Sequence, residues 1–274
     1  MIKKLHSNRF VNGEYIDEGS GQALFLLHGF GEDVTLWQTS IDFLKPNYRV
    51  LATNFPGTGN PILPEEPTRM EMLADYIFEI IQQEQLNSIL LIGHSMGGYV
   101  ALSFAEKYPA LVVGISLVHS SAFADDEEKK ANRLKAIRIL EKDGKENFLE
   151  TMIPALYAEQ TKKNNPAILQ AHLTMATTIP SVTLIRYYEA MIHRTSKIEF
   201  IKHTQIPMQF IIGKEDMAIP FSISMQQCHL PSISKIDILE NVGHMGMLEN
   251  TTSFLTILNS FCKYVVAPKK PLNL

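Results

Sequence analysis

Short, nearly all-apolar runs alternate along this chain with stretches whose apolar residues recur every three or four positions. Ala23–Leu27, Arg49–Thr53, Ser88–Ile92, Leu111–Val118 and Met208–Ile212 are runs of the first kind. They predict strands covered on both faces, as in a parallel sheet. Ser234–Leu239 is a last, weaker strand, and residues 9–17 predict a hairpin turning at Asn12-Gly13. Met70–Gln85 places Met72, Leu73, Ile77, Ile80 and Ile81 on one helical stripe, and Met96–Lys107 and Met247–Phe261 repeat that period. Such alternation implies right-handed crossovers. It predicts an α/β fold: a mostly parallel, twisted sheet of about eight strands flanked by helices.

The alternation breaks once. From about Ser121 to Ile198 no clear strand appears. Asp125–Lys142 reads as a charged amphipathic helix, and Glu146–Ala158, Pro166–Thr178 and Ser181–Ile192 also look helical, punctuated by Pro154, Pro166 and Pro180. The expected organisation is a core of residues 1–120 and 199–274 with a helical cap, 121–198, inserted after the sixth strand.

Composition narrows the function classes. The 274 residues carry a net charge of -4, with scattered Lys and Arg, which argues against a nucleic-acid partner. No apolar run has the length of a membrane helix, and the N-terminal stretch lacks the apolar core of a signal peptide. Two cysteines, Cys228 and Cys262, read as free thiols in a reducing cytoplasm.

The chemistry centres on Gly93-His94-Ser95-Met96-Gly97, followed by Gly98. The motif directly follows an apolar strand and directly opens a helix, as a nucleophile elbow must. A serine on so sharp a turn needs neighbours without bulk, and the helix N-terminus places N–H groups beside it. His28-Gly29-Phe30-Gly31 follows the strand Ala23–Leu27, where such a site takes its other oxyanion donor; the N–H groups of Phe30 and Met96 are the candidates. A serine nucleophile needs a base and an orienting acid. His244, in a glycine-flanked loop after the last strand, is the expected base, and Asp216, just past Met208–Ile212, the expected acid. Asp125 and Asp126 read instead as the solvated start of a helix. His28 and Asn54 read as structural hydrogen-bonders, His94 as the variable residue of the elbow, and His6, His193, His203 and His229 as surface residues.

On the elbow, His28-Gly-Phe-Gly, Asn54-Phe-Pro-Gly57-Thr-Gly59, Gly213–Asp216 with Pro220, and Gly243-His244, the sequence resembles the α/β-hydrolase fold superfamily, in the serine-nucleophile branch with a helical cap. The resemblance implies a hydrolase. Ser95 departs from the Asp nucleophile of haloalkane dehalogenases and epoxide hydrolases, and Gly31-Glu32-Asp33 lacks the Gly-Pro-Gly of many C–C bond hydrolases. Phe30-Gly31-x-Asp33 with Trp37 is similar to the stress-regulator and butenolide-receptor branch.

The expected reaction is hydrolysis of a small, mainly apolar ester through an acyl-enzyme, with no metal or cofactor. A C–C or other specialised hydrolase and a slow-turnover sensor are the alternatives. The cap should set specificity, with Phe123, Met152, Tyr157, Leu173, Met175, Tyr187 and Met191 as lining candidates; His119, Ile219 and Met245 complete the expected pocket. The expected partner is a small-molecule substrate, with no membrane and with a homodimer allowed.

Overall fold

The structure is a computed structural model describing residues 1–142 and 144–267. Its strands are β1 (Ile2–Lys4), β2 (Glu14–Glu18), β3 (Ala23–Leu27), β4 (Arg49–Thr53), β5 (Ile89–His94), β6 (Val112–Val118), β7 (Met208–Gly213) and β8 (Ser234–Leu239). They form one sheet in the order β1-β2-β4-β3-β5-β6-β7-β8. β1 and β2 pair antiparallel, as do β2 and β4, and all other neighbours are parallel. Strands β3, β5 and β7 are buried along their whole length, which is why their sequences show no polar alternation.

One expected element is corrected. Asn12-Gly13 does turn the chain, with Asn12 at φ 57°, but the strand opposite β2 is Ile2–Lys4 rather than Arg9–Val11. The intervening residues form a longer connection closed by a Leu5 N–H to Gly13 carbonyl bond of 2.7 Å. Local turn chemistry identified the bend, whereas pairing distance along the chain decided the partner.

Helix Met96–Lys107 packs on β3, β5 and β6 and against helix Met70–Gln83. Helix Thr251–Val266 packs on β6 and β8 and against Gln38–Leu44, and Trp37 lies fully buried beside Phe254. No single helix among the described residues is long and apolar enough to cross a membrane.

Between β6 and β7 the chain forms Glu127–Lys142, Lys145–Ala155, Glu159–Asn164, Pro166–Ala176 and Ser181–Ile192, then returns through Ile198–His203. The short helix Glu159–Asn164 adds to the expected four pieces. It ends at Asn165, just before Pro166 opens the next helix, a position where proline's missing N–H costs no helical bond. The segment is tied to the strand ends by polar contacts. Tyr187 hydroxyl donates to the Pro56 carbonyl (3.0 Å). The Glu249 carboxylate accepts from the N–H groups of Ala158 (2.8 Å), Gly243 (2.9 Å) and Met245 (3.1 Å).

Candidate active site

Ser95 stands between β5 and its following helix at φ 49°, ψ −115°. That backbone region is costly for a side chain bearing Cβ and is held by the surrounding packing. Ser95 N–H donates to the Val118 carbonyl (3.0 Å), and Ser120 hydroxyl donates to the Ser95 carbonyl (2.7 Å). The motif glycines meet a steric demand. A Cβ on Gly97 would lie 2.3 Å from the Leu27 carbonyl oxygen, and one on Gly93 would lie 2.5 Å from Gly97 backbone. The helix can therefore pack back onto β3 and β5 only with hydrogen at both positions.

His244 follows β8 in the loop that Glu249 organises. Its Nδ1 is 2.7 Å from Asp216 Oδ2, and both groups are buried. The other carboxylate oxygen accepts from Ala218 N–H (2.9 Å) and Ile219 N–H (2.8 Å), so Asp216 is held in a single orientation. Burial disfavours the Asp216 charge, but His244 and His119 beside it hold its carboxyl well below the usual range. Burial likewise opposes protonation of His244, and the negative charges of Asp216, Glu32 and Glu249 outweigh it, raising His244 above its ordinary 6.5. Ser95 and His244 line one pocket. Among the described residues the Ser95 hydroxyl hydrogen-bonds no protein group, and neither Phe30 N–H nor Met96 N–H donates to a protein acceptor. Phe30 lies in the loop after β3 and lines the same pocket as Ser95, and Met96 opens the helix that follows the serine.

That pocket encloses about 350 Å³. Phe30, Met152, Leu156, Met191 and Ile219 give it apolar surface, and Phe30 stacks on Tyr188 at 4.1 Å between ring centroids. Lys129, Asn132 and Arg133 project into it from helix Glu127–Lys142.

The model of the alpha/beta hydrolase family matches residues 24–254, from β3 to the final helix. The chain belongs to that family. It is 23% identical over 269 residues to 2-hydroxy-6-oxo-6-(2'-aminophenyl)hexa-2,4-dienoic acid hydrolase of Metapseudomonas resinovorans, covering 92% of this chain and 90% of that protein. It is 26% identical over 257 residues to the pimeloyl-[acyl-carrier protein] methyl ester esterase of Legionella pneumophila, covering 89% and 97%. A malate-bound thermophilic esterase from Thermogutta terrifontis superposes with a TM-score of 0.90 at 25% identity, over 97% of this chain and 99% of that one.

Within this alpha/beta hydrolase the expected pocket residues divide. Ile219, Met152 and Met191 line the pocket. Tyr187 does not: it is fully buried, with its hydroxyl on Thr58 and the Pro56 carbonyl. Tyr157 is turned into the helical segment, where its hydroxyl meets His172 Nδ1 at 2.9 Å. Met245 is fully buried, Phe123 lines a separate small crevice with Arg194, and Leu173 and Met175 are half-buried outside the pocket. His119, at φ 47°, lies behind the site. Its Nδ1 is 3.5 Å from Asp216 Oδ2, Gly246 N–H donates to its Nε2 (3.2 Å), and burial pushes its pKa down to about 4. It is a neutral support for Asp216 rather than a pocket wall.

Three further expectations change or sharpen. Asp125 is not a solvated helix start: it is buried and paired with Arg133 (2.5 Å) and Arg194 (2.8 Å). His94 does more than fill the elbow, because its Nδ1 is 2.9 Å from Glu32 Oε2 and its Nε2 2.9 Å from the His244 carbonyl. His28 and Asn54 are the structural hydrogen-bonders expected, accepting from Phe55 N–H (3.0 Å) and Val34 N–H (2.7 Å).

Proposed function

We propose that this protein is a serine hydrolase that cleaves small, mainly apolar esters through an acyl-enzyme, with Ser95, His244 and Asp216 as its triad. The observation that carries this reading is the 2.7 Å bond between His244 Nδ1 and Asp216 Oδ2 in a ring that shares one pocket with Ser95. The bond leaves His244 Nε2 to take the Ser95 proton as the hydroxyl attacks the ester carbonyl. The free N–H groups of Phe30 and Met96 would receive the developing oxyanion, each such donor contributing about 3 kcal/mol to barrier lowering. Protonated His244 then gives its proton to the leaving alcohol, and water activated by the same ring releases the acid. The esterases among its relatives support the ester as substrate.

The test is labelling by a fluorophosphonate followed by peptide mapping, beside turnover of short p-nitrophenyl esters. Label is expected on Ser95, and Ser95→Ala should lose both label and, by roughly a thousandfold or more, turnover. A Ser95→Ala protein that labels and turns over like the parent overturns the assignment.

A further inference from the structure

The pocket above Ser95 carries an unbalanced charge. Asp125 is a single buried carboxylate facing two guanidinium groups, Arg133 and Arg194. Of these two only Arg133 lines the pocket, and Lys129, one turn before it on the same helix, adds a second cation to the lining. It is half-buried and lines the pocket, and among the described residues its ammonium forms no ion pair; only its backbone N–H reaches Asp126. The neighbouring Glu127 is taken by Lys130 at 2.8 Å. The acid among the pocket-lining residues is Glu32, whose Oε2 is occupied by Gly29 N–H (2.6 Å) and His94 Nδ1 (2.9 Å). Arg133 uses Nε and Nη2 on Asp125, and Nη1 has no protein partner among the described residues.

A wholly apolar ester filling this space would strip water from Lys129 without replacing it, which is unfavourable. A carboxylate placed against the same wall regains that loss through charge-assisted hydrogen bonds. We propose that Lys129, with the Asn132 amide and Arg133 Nη1, forms an anion subsite of the pocket. The preferred substrates are then esters whose otherwise apolar body carries a carboxylate remote from the scissile bond. This rests on the reading of Ser95 as the nucleophile and deepens it.

The experiment compares half-esters with neutral diesters of the same acids: monomethyl against dimethyl succinate, glutarate and adipate. The parent protein is expected to favour at least one half-ester in kcat/KM by about tenfold, the scale of one partly screened charged hydrogen bond. The preference should shrink in high salt and collapse or invert in Lys129→Glu. A parent that prefers every diester, or a Lys129→Glu variant that keeps the half-ester preference, overturns the proposal. Calorimetric binding of the half-esters to Ser95→Ala reads the subsite without chemistry. Binding there that Lys129→Glu abolishes supports the subsite even where fluorophosphonate labelling has failed and the nucleophile assignment has fallen. Absence of binding, with labelling intact, removes the subsite alone.

Discussion

At the scale of single residues, the group that decides the proposed mechanism is the imidazole of His244. It is a base only when neutral, and its pKa lies above the ordinary 6.5 because Asp216 and two further carboxylates outweigh the effect of burial. The rate constant kcat/KM should therefore fall as pH drops through a value above that of a free histidine. Asp216→Asn removes the main charge that raises the ring. The acid limb is then expected to move to lower pH, while kcat drops roughly a thousandfold because the ring loses its orientation and the imidazolium its counter-charge. A pH–rate profile of the two proteins with one short ester checks this. An acid limb unmoved by Asp216→Asn would mean that another group titrates. His119 does not fill that part, since burial holds it near 4, its Nε2 accepts from Gly246 N–H and its Nδ1 faces Asp216.

At the scale of elements, strands and elbow were legible, and the faces of the helices between β6 and β7 were not. Strands β3, β5 and β7 announce themselves because burial on both sides leaves only apolar residues, and the elbow because Gly93 and Gly97 meet backbone within 2.5 Å of any added Cβ. Ser95, Asp216 and His244 follow from loops at strand ends, a placement set by topology alone. Helical period shows which positions share a face without showing what that face meets. Tyr187 bonds to Pro56 and Thr58, whereas Lys129 and Asn132, in a run that reads as a charged amphipathic helix, face the pocket. The burial of Asp125 is hidden in the sequence for a related reason: its counter-charges lie eight residues on, at Arg133, and in Arg194 beyond the fifth helix. That carboxylate joins the first helix of the segment to the end of its last. Arg194 also lies 3.9 Å from the Tyr99 ring centroid, against helix Met96–Lys107. Asp125→Ala leaves two guanidinium groups buried or half-buried without their acid. Stability should fall by about 3 kcal/mol. The pocket wall should loosen too, with KM rising more than kcat falls. Urea denaturation and ester kinetics read the two effects, and an unchanged midpoint would show that the pair is not stabilising.

At the scale of the whole molecule, the site is assembled from the ends of strands far apart in sequence, and a buried acid–histidine pair links three of them. Glu32 lies in the loop after β3, His94 ends β5, and His244 follows β8. The His94 ring thus bridges the Glu32 carboxylate through Nδ1 and the His244 backbone carbonyl through Nε2. Glu32 is almost wholly enclosed. Burial alone would raise its carboxyl, but His94, His172 and the Gly29 N–H hold it at about 2 against an ordinary 4.5. A carboxyl lowered on folding stabilises the fold at pH values above its unfolded pKa, and that contribution is lost as pH falls from 4.5 toward 2. Its size is on the order of 3 kcal/mol. Glu32→Gln retains an oxygen for the Gly29 N–H and removes the titration. Near neutral pH the variant is expected to be less stable than the parent, and the gap should close as the solution is acidified, because only the parent loses this term. Asp216 is common to both proteins, so its own acid dependence cancels in the difference. Urea midpoints at matched m-values from about pH 6 to about pH 3 decide the matter. Two curves that run parallel over that window would place the acid sensitivity elsewhere, and converging curves would place it at the junction of the three strand ends that support His244.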